Sequence, residues 1–275
     1  MSELNVSDGT RLYYNDWGTG VPVVLVHGWP LSSAMWEYQA CFLAQQGLRV
    51  ISYDRRGFGR SDQPATGYDY ATMTADLAAL IDHLGLDNVT LVGFSMGGGE
   101  VVRYLAQHNR ERVKRAVLIS SVTPLLQKAP SYPEGVDPKV FSEMQTKMSE
   151  DRPAFLATFA RAFYGVGVLL HPVSSQLLDW NQQVALQASP LATRACAQAF
   201  ATTDFRADLA AIRVPTMVIH GDADKIVPFE STGRVTASLI AGARLAVYEG
   251  EPHGLFITSR DRLNRDLLAF ATQTL

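Results

Sequence analysis

The run Leu91-Val92-Gly93-Phe94-Ser95-Met96-Gly97-Gly98-Gly99 has the residue types to hold a serine as a nucleophile. A serine hydroxyl projects above the end of a strand only where the backbone turns sharply and takes strained dihedrals. Its neighbours must then be almost without side chains, or they would strike the strand and helix that flank the turn. Gly93-x-Ser95-x-Gly97 meets that demand, and two more glycines follow. Residues 89–92 supply an apolar strand. Residues 98–107 have helical spacing, and the N–H groups and dipole of that helix start favour an oxyanion at the turn. A glycine–serine turn without chemistry is the plain alternative, and the strand and helix on either side weigh against it.

A serine nucleophile needs a base, and the base needs an acid to orient it. His253, in Glu251-Pro252-His253-Gly254, lies in a proline–glycine loop just after the last strand, at the same sheet edge as Ser95. The other five histidines are worse placed. His83 and His108 fall on helices, and His171 lies in a long insertion. His220 ends a strand and serves its own loop, and His27 precedes Gly28 in another. For the acid, Gly221-Asp222-Ala223-Asp224 offers two carboxylates after a strand end. Asp222, close behind the strand, is placed to bond the turn's own N–H groups. Asp224, further out, can reach His253 and is preferred. Glu249 and Glu251 are too near His253 in the chain to face it easily.

The oxyanion of an acyl-transfer intermediate needs two preorganised donors. One is the backbone N–H of Met96. The other is expected from the loop after the strand 23–26, His27-Gly28-Trp29-Pro30, with the Trp29 N–H as donor. Gly28 lets the loop curl. Pro30 steers Trp29 toward extended dihedrals and so fixes the direction of its carbonyl. The side chains of His27 and Trp29 are read as loop packing. Asp54-Arg55-Arg56-Gly57-Phe58-Gly59-Arg60-Ser61-Asp62 is not a phosphate loop, because it lacks a Lys-Ser/Thr ending and a following helix start. It is read as a structural loop pinned by its own ion pairs, with Phe58 approaching the site.

The elements that must position these groups follow from pattern. Asp8-Gly9 between two β-prone runs predicts a hairpin. Further strands are expected at 21–26, 49–53, 113–120, 216–220 and 243–248, and helices at 35–46, 71–84, 229–240 and 261–272. Strands alternating with helices imply right-handed βαβ units and a mostly parallel sheet, with the hairpin as an antiparallel edge. From 124 to 208 the strand signals vanish. Prolines appear at 124, 130, 133, 138, 153, 172 and 190, and Met, Phe, Leu and Ala recur at helical spacing. This stretch is read as a helical cap over the sheet's C-terminal edge, where open α/β sheets bind ligands. The core is then 1–123 with 209–275.

The 275 residues suffice to bury a sizeable core. A composition 47% hydrophobic and 19% charged is that of an ordinary globular enzyme, and a net charge of −3 gives no reason to expect nucleic acid or an anionic membrane as partner. Cys41 and Cys196 make no disulfide framework and read as free core thiols of a reducing compartment. Met1-Ser2-Glu3-Leu4-Asn5 lacks a signal-peptide pattern, and no apolar run approaches the roughly 20 residues of a membrane span. The protein is read as cytoplasmic, without a metal or other cofactor.

Taken in order, His27-Gly28-Trp29-Pro30, the 54–62 segment, Gly93 to Gly99, Gly221-Asp222-Ala223-Asp224 and Pro252-His253-Gly254 resemble the α/β-hydrolase superfamily. More narrowly, they resemble the bacterial cofactor-free haloperoxidase (perhydrolase) and aryl esterase group. The resemblance runs over essentially the whole chain. It includes the chain order serine, aspartate, histidine. It implies Ser95, Asp224 and His253 as the triad and Trp29 with Met96 as the oxyanion hole. It also implies an eight-stranded sheet, helices on both faces and a cap at about 125–205. Phe141, Phe159, Phe163 and Tyr164 are its candidates for the substrate pocket. Members often form homo-oligomers, and some relatives hydrolyse γ-lactams. A serine at position 95 separates the chain from haloalkane dehalogenases of this fold, which use aspartate.

The expected reaction is hydrolysis of a small ester through an acyl-enzyme that water or hydrogen peroxide resolves, peroxide yielding a peracid. The Trp29 carbonyl, oriented by Pro30, would accept the second peroxide proton. Two other readings remain: amide or γ-lactam hydrolysis by the same triad, and a small-molecule receptor that keeps the fold without turnover.

Overall fold

The computed structural model describes residues 2–108 and 110–273. Strand β1 (Ser2–Asn5) turns into β2 (Arg11–Trp17). In the turn, Asp8 Oδ1 accepts the Thr10 N–H at 3.0 Å and Gly9 holds φ +84°, a conformation that favours glycine. The remaining strands are β3 (Pro22–Val26), β4 (Arg49–Tyr53), β5 (Val89–Phe94), β6 (Val113–Ile119), β7 (Thr216–Gly221) and β8 (Arg244–Tyr248). They form one eight-stranded sheet in the order β1-β2-β4-β3-β5-β6-β7-β8. The β1–β2 and β2–β4 pairs are antiparallel and all the others parallel. Strand β5 lies inside the sheet between β3 and β6 and is buried at every position, as parallel strands covered on both faces are.

The helices are α1 (Glu37–Gln45), α2 (Tyr70–His83), α3 (Met96–Gln107), α4 (Pro138–Phe163), α5 (Ser175–Leu186), α6 (Pro190–Thr202), α7 (Arg206–Ala211), α8 (Gly233–Leu239), α9 (Leu255–Thr258) and α10 (Arg260–Thr272). Helix α1 packs against α10, while α2, α3, α7 and α8 pack in series, so that helices cover both faces of the sheet. Among the described residues no helix is long and apolar enough to cross a membrane.

Several boundaries differ from the sequence pattern, each for a local reason. The helix expected at 35–46 opens as a 3-10 turn, Ser33–Trp36, because the Ser32 hydroxyl caps Ala34 N–H. The one expected at 229–240 splits at Thr232, whose dihedrals (−128°, −82°) interrupt the helix before α8. Residues 124–137 are not helical. They form a loop with isolated bridges, Gln127 to Val136 and Ala129 to Tyr132, so the helices between β6 and β7 begin at Pro138. Helix α4 itself breaks at Asp151 (φ −152°, ψ 85°), two residues before Pro153, and Asp151 Oδ1 caps Ala154 N–H at 3.0 Å to start its second half. That half carries Phe155, Phe159 and Phe163 at four-residue spacing, hence on one stripe.

Cys196 is buried, and burial pushes its thiol up to about 12. Cys41 is exposed on α1, so only one of the two cysteines is a core thiol.

Candidate active site

Ser95 sits between β5 and α3 with φ +53° and ψ −117°. A non-glycine residue pays about 1–3 kcal/mol for such a backbone, so the surroundings must impose it. Ser95 N–H donates to Ile119 O at 2.8 Å, and Ser95 O accepts the Gly98 N–H at 3.0 Å. The glycines are steric requirements. A β-carbon on Gly93 would lie 2.4 Å from Gly97 O, and one on Gly97 would lie 2.4 Å from Val26 O. One on Gly98 would meet Ser121 Oγ at 2.3 Å. Helix α3 starts at Met96, two residues earlier than the sequence pattern suggests.

His253 lies in the loop after β8, before α9. Its Nε2 is 3.0 Å from Ser95 Oγ, and its Nδ1 is 2.6 Å from Asp224 Oδ2. The carboxylate accepts a hydrogen bond from Nδ1–H, which holds that proton on Nδ1 and leaves the Nε2 lone pair facing the serine hydroxyl. The rings of Phe94 and Phe163 each stand with centroids 4.8 Å from the imidazole, and Phe163 O accepts the Gly254 N–H at 2.8 Å. His253 is thereby fixed from the sheet side and from α4.

Asp224 lies in the loop after β7. Its Oδ1 accepts the N–H groups of Ile226 (2.8 Å) and Val227 (2.9 Å). Its Oδ2, besides facing His253, is 3.3 Å from His220 Nε2, which also donates to Val227 O at 2.9 Å. Burial pushes the Asp224 carboxyl upward, but the attraction of His253 when it is protonated and the hydrogen bonds from His220 and His253 outweigh it. They hold the group well below the usual carboxylate range. The work of the two aspartates therefore differs from the sequence expectation. Asp224 bonds the turn's own N–H groups as well as His253. Asp222 instead reaches across to the Gly250 N–H at 2.7 Å. His220 serves its loop as expected, and it also approaches Asp224, which its position at a strand end did not reveal.

The loop 27–30 lies directly against the elbow. A β-carbon on Gly28 would be 3.2 Å from Ser95 Cβ, and one on Gly97 would be 2.8 Å from His27 O. Gly28 N–H donates to Met35 Sδ at 3.4 Å and Leu31 N–H to Gly28 O at 3.0 Å, and neither bond uses the Trp29 N–H between them. Met96 opens α3, so its N–H has no intrahelical acceptor. The Trp29–Pro30 peptide is cis. The Trp29 indole packs among Phe155, Phe159 and Phe200 and donates to Thr193 O at 2.9 Å.

A cavity of about 160 Å³ meets Ser95 and His253. Its apolar wall includes Trp29, Val122, Leu126, Phe141, Met144, Phe159, Phe200 and Ile226, and the exposed Lys225 is its remaining polar side chain. Phe141 and Phe159 line this cavity. Phe163 and Tyr164 do not: Phe163 packs on His253, and Tyr164 packs on Phe163 and accepts from Asn181 Nδ2 at 2.9 Å. Phe200, Val122 and Ile226 carried no distinguishing pattern in the sequence, because they come together from three separated segments. A larger open groove of about 360 Å³ follows α4 past Lys147, Glu150 and Phe155 and touches none of Ser95, Asp224 and His253.

The 54–62 segment is pinned mainly from outside, contrary to expectation. Arg55 pairs with Glu100 on α3 at 2.7 Å, and Arg56 pairs with Asp76 on α2 at 2.6 Å and with Asp8 at 2.8 Å. Asp54 Oδ1 accepts the Ser33 N–H at 2.8 Å, and its ion pair with Arg60 (3.8 Å) stays within the segment. Phe58 meets the His27 ring edge-on at 5.5 Å and lines no part of the cavity.

Comparison with known proteins agrees with the fold. The profile described as alpha/beta hydrolase fold matches residues 21–259. A non-heme haloperoxidase of Rhodococcus erythropolis is 43% identical over 272 residues, 98% of this chain and 99% of its own. A bifunctional esterase/perhydrolase of Acinetobacter calcoaceticus is 39% identical over 274 residues, again 98% and 99%. The crystal structure of a bromoperoxidase from Bacillus anthracis superposes with a TM-score of 0.93 at 46% identity, covering 96% of each chain.

Proposed function

The chain belongs to the alpha/beta hydrolase fold family, and from that premise we propose that it is a serine esterase that also perhydrolyses its acyl-enzyme. Ser95 is the nucleophile, His253 the base and Asp224 the orienting acid. The observation that carries this is one chain of contacts, Ser95 Oγ to His253 Nε2 at 3.0 Å and His253 Nδ1 to Asp224 Oδ2 at 2.6 Å.

Ser95 Oγ attacks the ester carbonyl and its proton passes to His253 Nε2. The carbonyl oxygen becomes an oxyanion that accepts from the Trp29 and Met96 N–H groups, each worth about 2.7–4 kcal/mol of barrier. Asp224 stays ionised and stabilises the imidazolium. As the tetrahedral adduct collapses, the C–O bond to the alcohol breaks and His253 returns the proton to the leaving oxygen. In the second half His253 takes a proton from water or hydrogen peroxide, whose oxygen attacks the acyl carbon. The Ser95–acyl bond breaks, releasing a carboxylic acid or a peracid, and the proton returns to Ser95.

The cavity is smaller than the roughly 300–1,000 Å³ of drug-sized ligand sites and mostly apolar, which supports a small, uncharged ester as substrate. Residues 124–208 act in this reading as the cap that shapes it. The unpaired Cys41 and Cys196 support a reducing compartment, and we place the enzyme in the cytoplasm. The test is turnover of p-nitrophenyl acetate with and without hydrogen peroxide, following nitrophenol and peracid. Multiple turnovers, with peracid formed only when peroxide is present, are expected. A Ser95→Ala variant with full activity would sink the assignment.

A further inference from the structure

The 54–62 segment places a fully buried ion pair behind the site, and the proposed proton transfer between Ser95 and His253 makes no use of it. Arg55 and Glu100 have no exposed side-chain surface. Arg55 Nε donates to Glu100 Oε2 at 2.7 Å, and the Tyr53 hydroxyl donates to Glu100 Oε1. Arg55 Nη2 donates to His27 O at 2.9 Å, and the Arg55 backbone N–H donates to His27 Nε2 at 3.0 Å. Burial and the Arg55 charge keep His27 neutral, so its proton lies on Nδ1 and is donated to Gly28 O at 2.9 Å. The network thus grips the loop 27–28 on one side and α3 on the other. Trp29 follows that loop directly, and Met96 lies one turn before Glu100 on α3.

We infer that the Arg55–Glu100 pair is a positioning device that sets the spacing between the Trp29 and Met96 N–H groups. This rests on those two groups being the oxyanion donors. They belong to separate elements, and both must sit near 2.7–3.1 Å from one oxygen atom. The planar guanidinium fork fixes direction as well as distance, since it bonds Glu100 and His27 O at once. In a water-free interior such bonds do not relax. Stability alone does not call for charges here, because well-packed apolar residues replace buried ion pairs at little or no cost.

The experiment compares wild type with Arg55→Met/Glu100→Met and with Arg55→Lys. It measures kcat and KM for p-nitrophenyl acetate, the Kd for phenylboronic acid, which forms a tetrahedral anionic adduct with an active serine, and the melting temperature. The double variant removes both charges together and is expected to fold, with KM little changed and kcat lower by about 10- to 100-fold, as for a misplacement near 1 Å. Phenylboronic acid affinity is expected to fall in parallel. Arg55→Lys keeps a charge for Glu100 but loses the fork to His27 O, so it is expected to fold and to lose kcat as well. A folded double variant with wild-type kcat, or one whose kcat falls while phenylboronic acid binds as before, overturns the inference. Should the double variant not fold, an Arg55→Lys enzyme with wild-type kcat does the same. Ser95→Ala separates the two levels: if it stays active, the assignment of the site fails. If it is dead while the double variant is fully active, only the role of the pair fails.

Discussion

Asp224 and Glu100 are both carboxylates with no exposed side-chain surface, and their proton affinities move in opposite directions. Burial is the largest influence on each and pushes each upward. At Asp224 it is overcome. Two backbone N–H groups bond Oδ1, and two histidines face Oδ2. At Glu100 it is not. A guanidinium and a phenol are its hydrogen-bond donors, and the carboxyl stays above its usual range despite Arg55. The difference teaches what each is for. In the proposed mechanism Asp224 must hold its charge while the proton on its neighbour comes and goes, and fixed dipoles surround it. Glu100 faces a guanidinium that never gives up its proton, and one permanent countercharge is enough for a tether.

Replacing Asp224 is the strongest way to break that comparison. Asp224→Asn is expected to fold and to lower kcat by about 10⁴-fold, because the amide leaves the wrong histidine tautomer facing Ser95. Steady-state kinetics with p-nitrophenyl acetate measure it, and a loss under about tenfold would point to Glu251 or Asp222 as the true acid. The same variant has a pH signature. The folded value of Asp224 lies below its ordinary 3.8, so the stability it confers is complete above that pH and is lost as pH falls toward the folded value. Glu100 has the reverse sign. Its folded value lies above 4.5, so its contribution is complete below 4.5 and is lost as pH rises through the folded value. Thermal melts below pH 3.8 are therefore expected to depend less steeply on pH in Asp224→Asn than in wild type. Equal slopes would mean that the Asp224 carboxyl is not depressed.

His220 tests how much of the depression comes from side chains. His220→Phe removes the donor to Val227 O and to Asp224 Oδ2 while keeping a ring in a fully buried site. A bond to a charged group contributes about 1.5–3 kcal/mol, so a loss of about 2 kcal/mol in unfolding free energy is expected, with kcat reduced far less than by Asp224→Asn. Chemical denaturation measures it. A variant as stable as wild type would assign the whole depression to His253 and the two backbone N–H groups.

What could be read in the sequence was what local sterics dictate. The glycines at 93, 97 and 98 have no room for a β-carbon, so the elbow is written in the chain. The parallel part of the sheet followed from apolar runs alternating with helices, and its antiparallel edge from the Asp8-Gly9 turn. Partners chosen by tertiary approach were not legible. Arg55 meets Glu100 across 45 residues, and Phe163 and Phe94 meet His253 only after folding. The spacing of Phe159 and Phe163 on one stripe of α4 was visible, but which ring faces the cavity and which backs the histidine depends on how the second half of α4 leaves the break at Asp151. The isomer at Trp29–Pro30 was beyond reach for a different reason, since the trans preference before proline is small.

The finest contrast lies within one turn. Asp222 and Asp224 are two residues apart, yet Asp222 is exposed and joins the β7 loop to Gly250 N–H, while Asp224 is buried and faces His253. Both loops carry a residue of the proposed triad a few positions further on, so the Asp222 bond braces them without touching Ser95, His253 or Asp224. One exposed hydrogen bond contributes about 0.5–1.5 kcal/mol, so Asp222→Ala is expected to lower the melting temperature by a few degrees at most. Its kcat is expected to match wild type. A large fall in kcat with an unchanged melting temperature would mean that the distance between the two loops, and not only the Asp224–His253 bond, sets the histidine's reach toward Ser95.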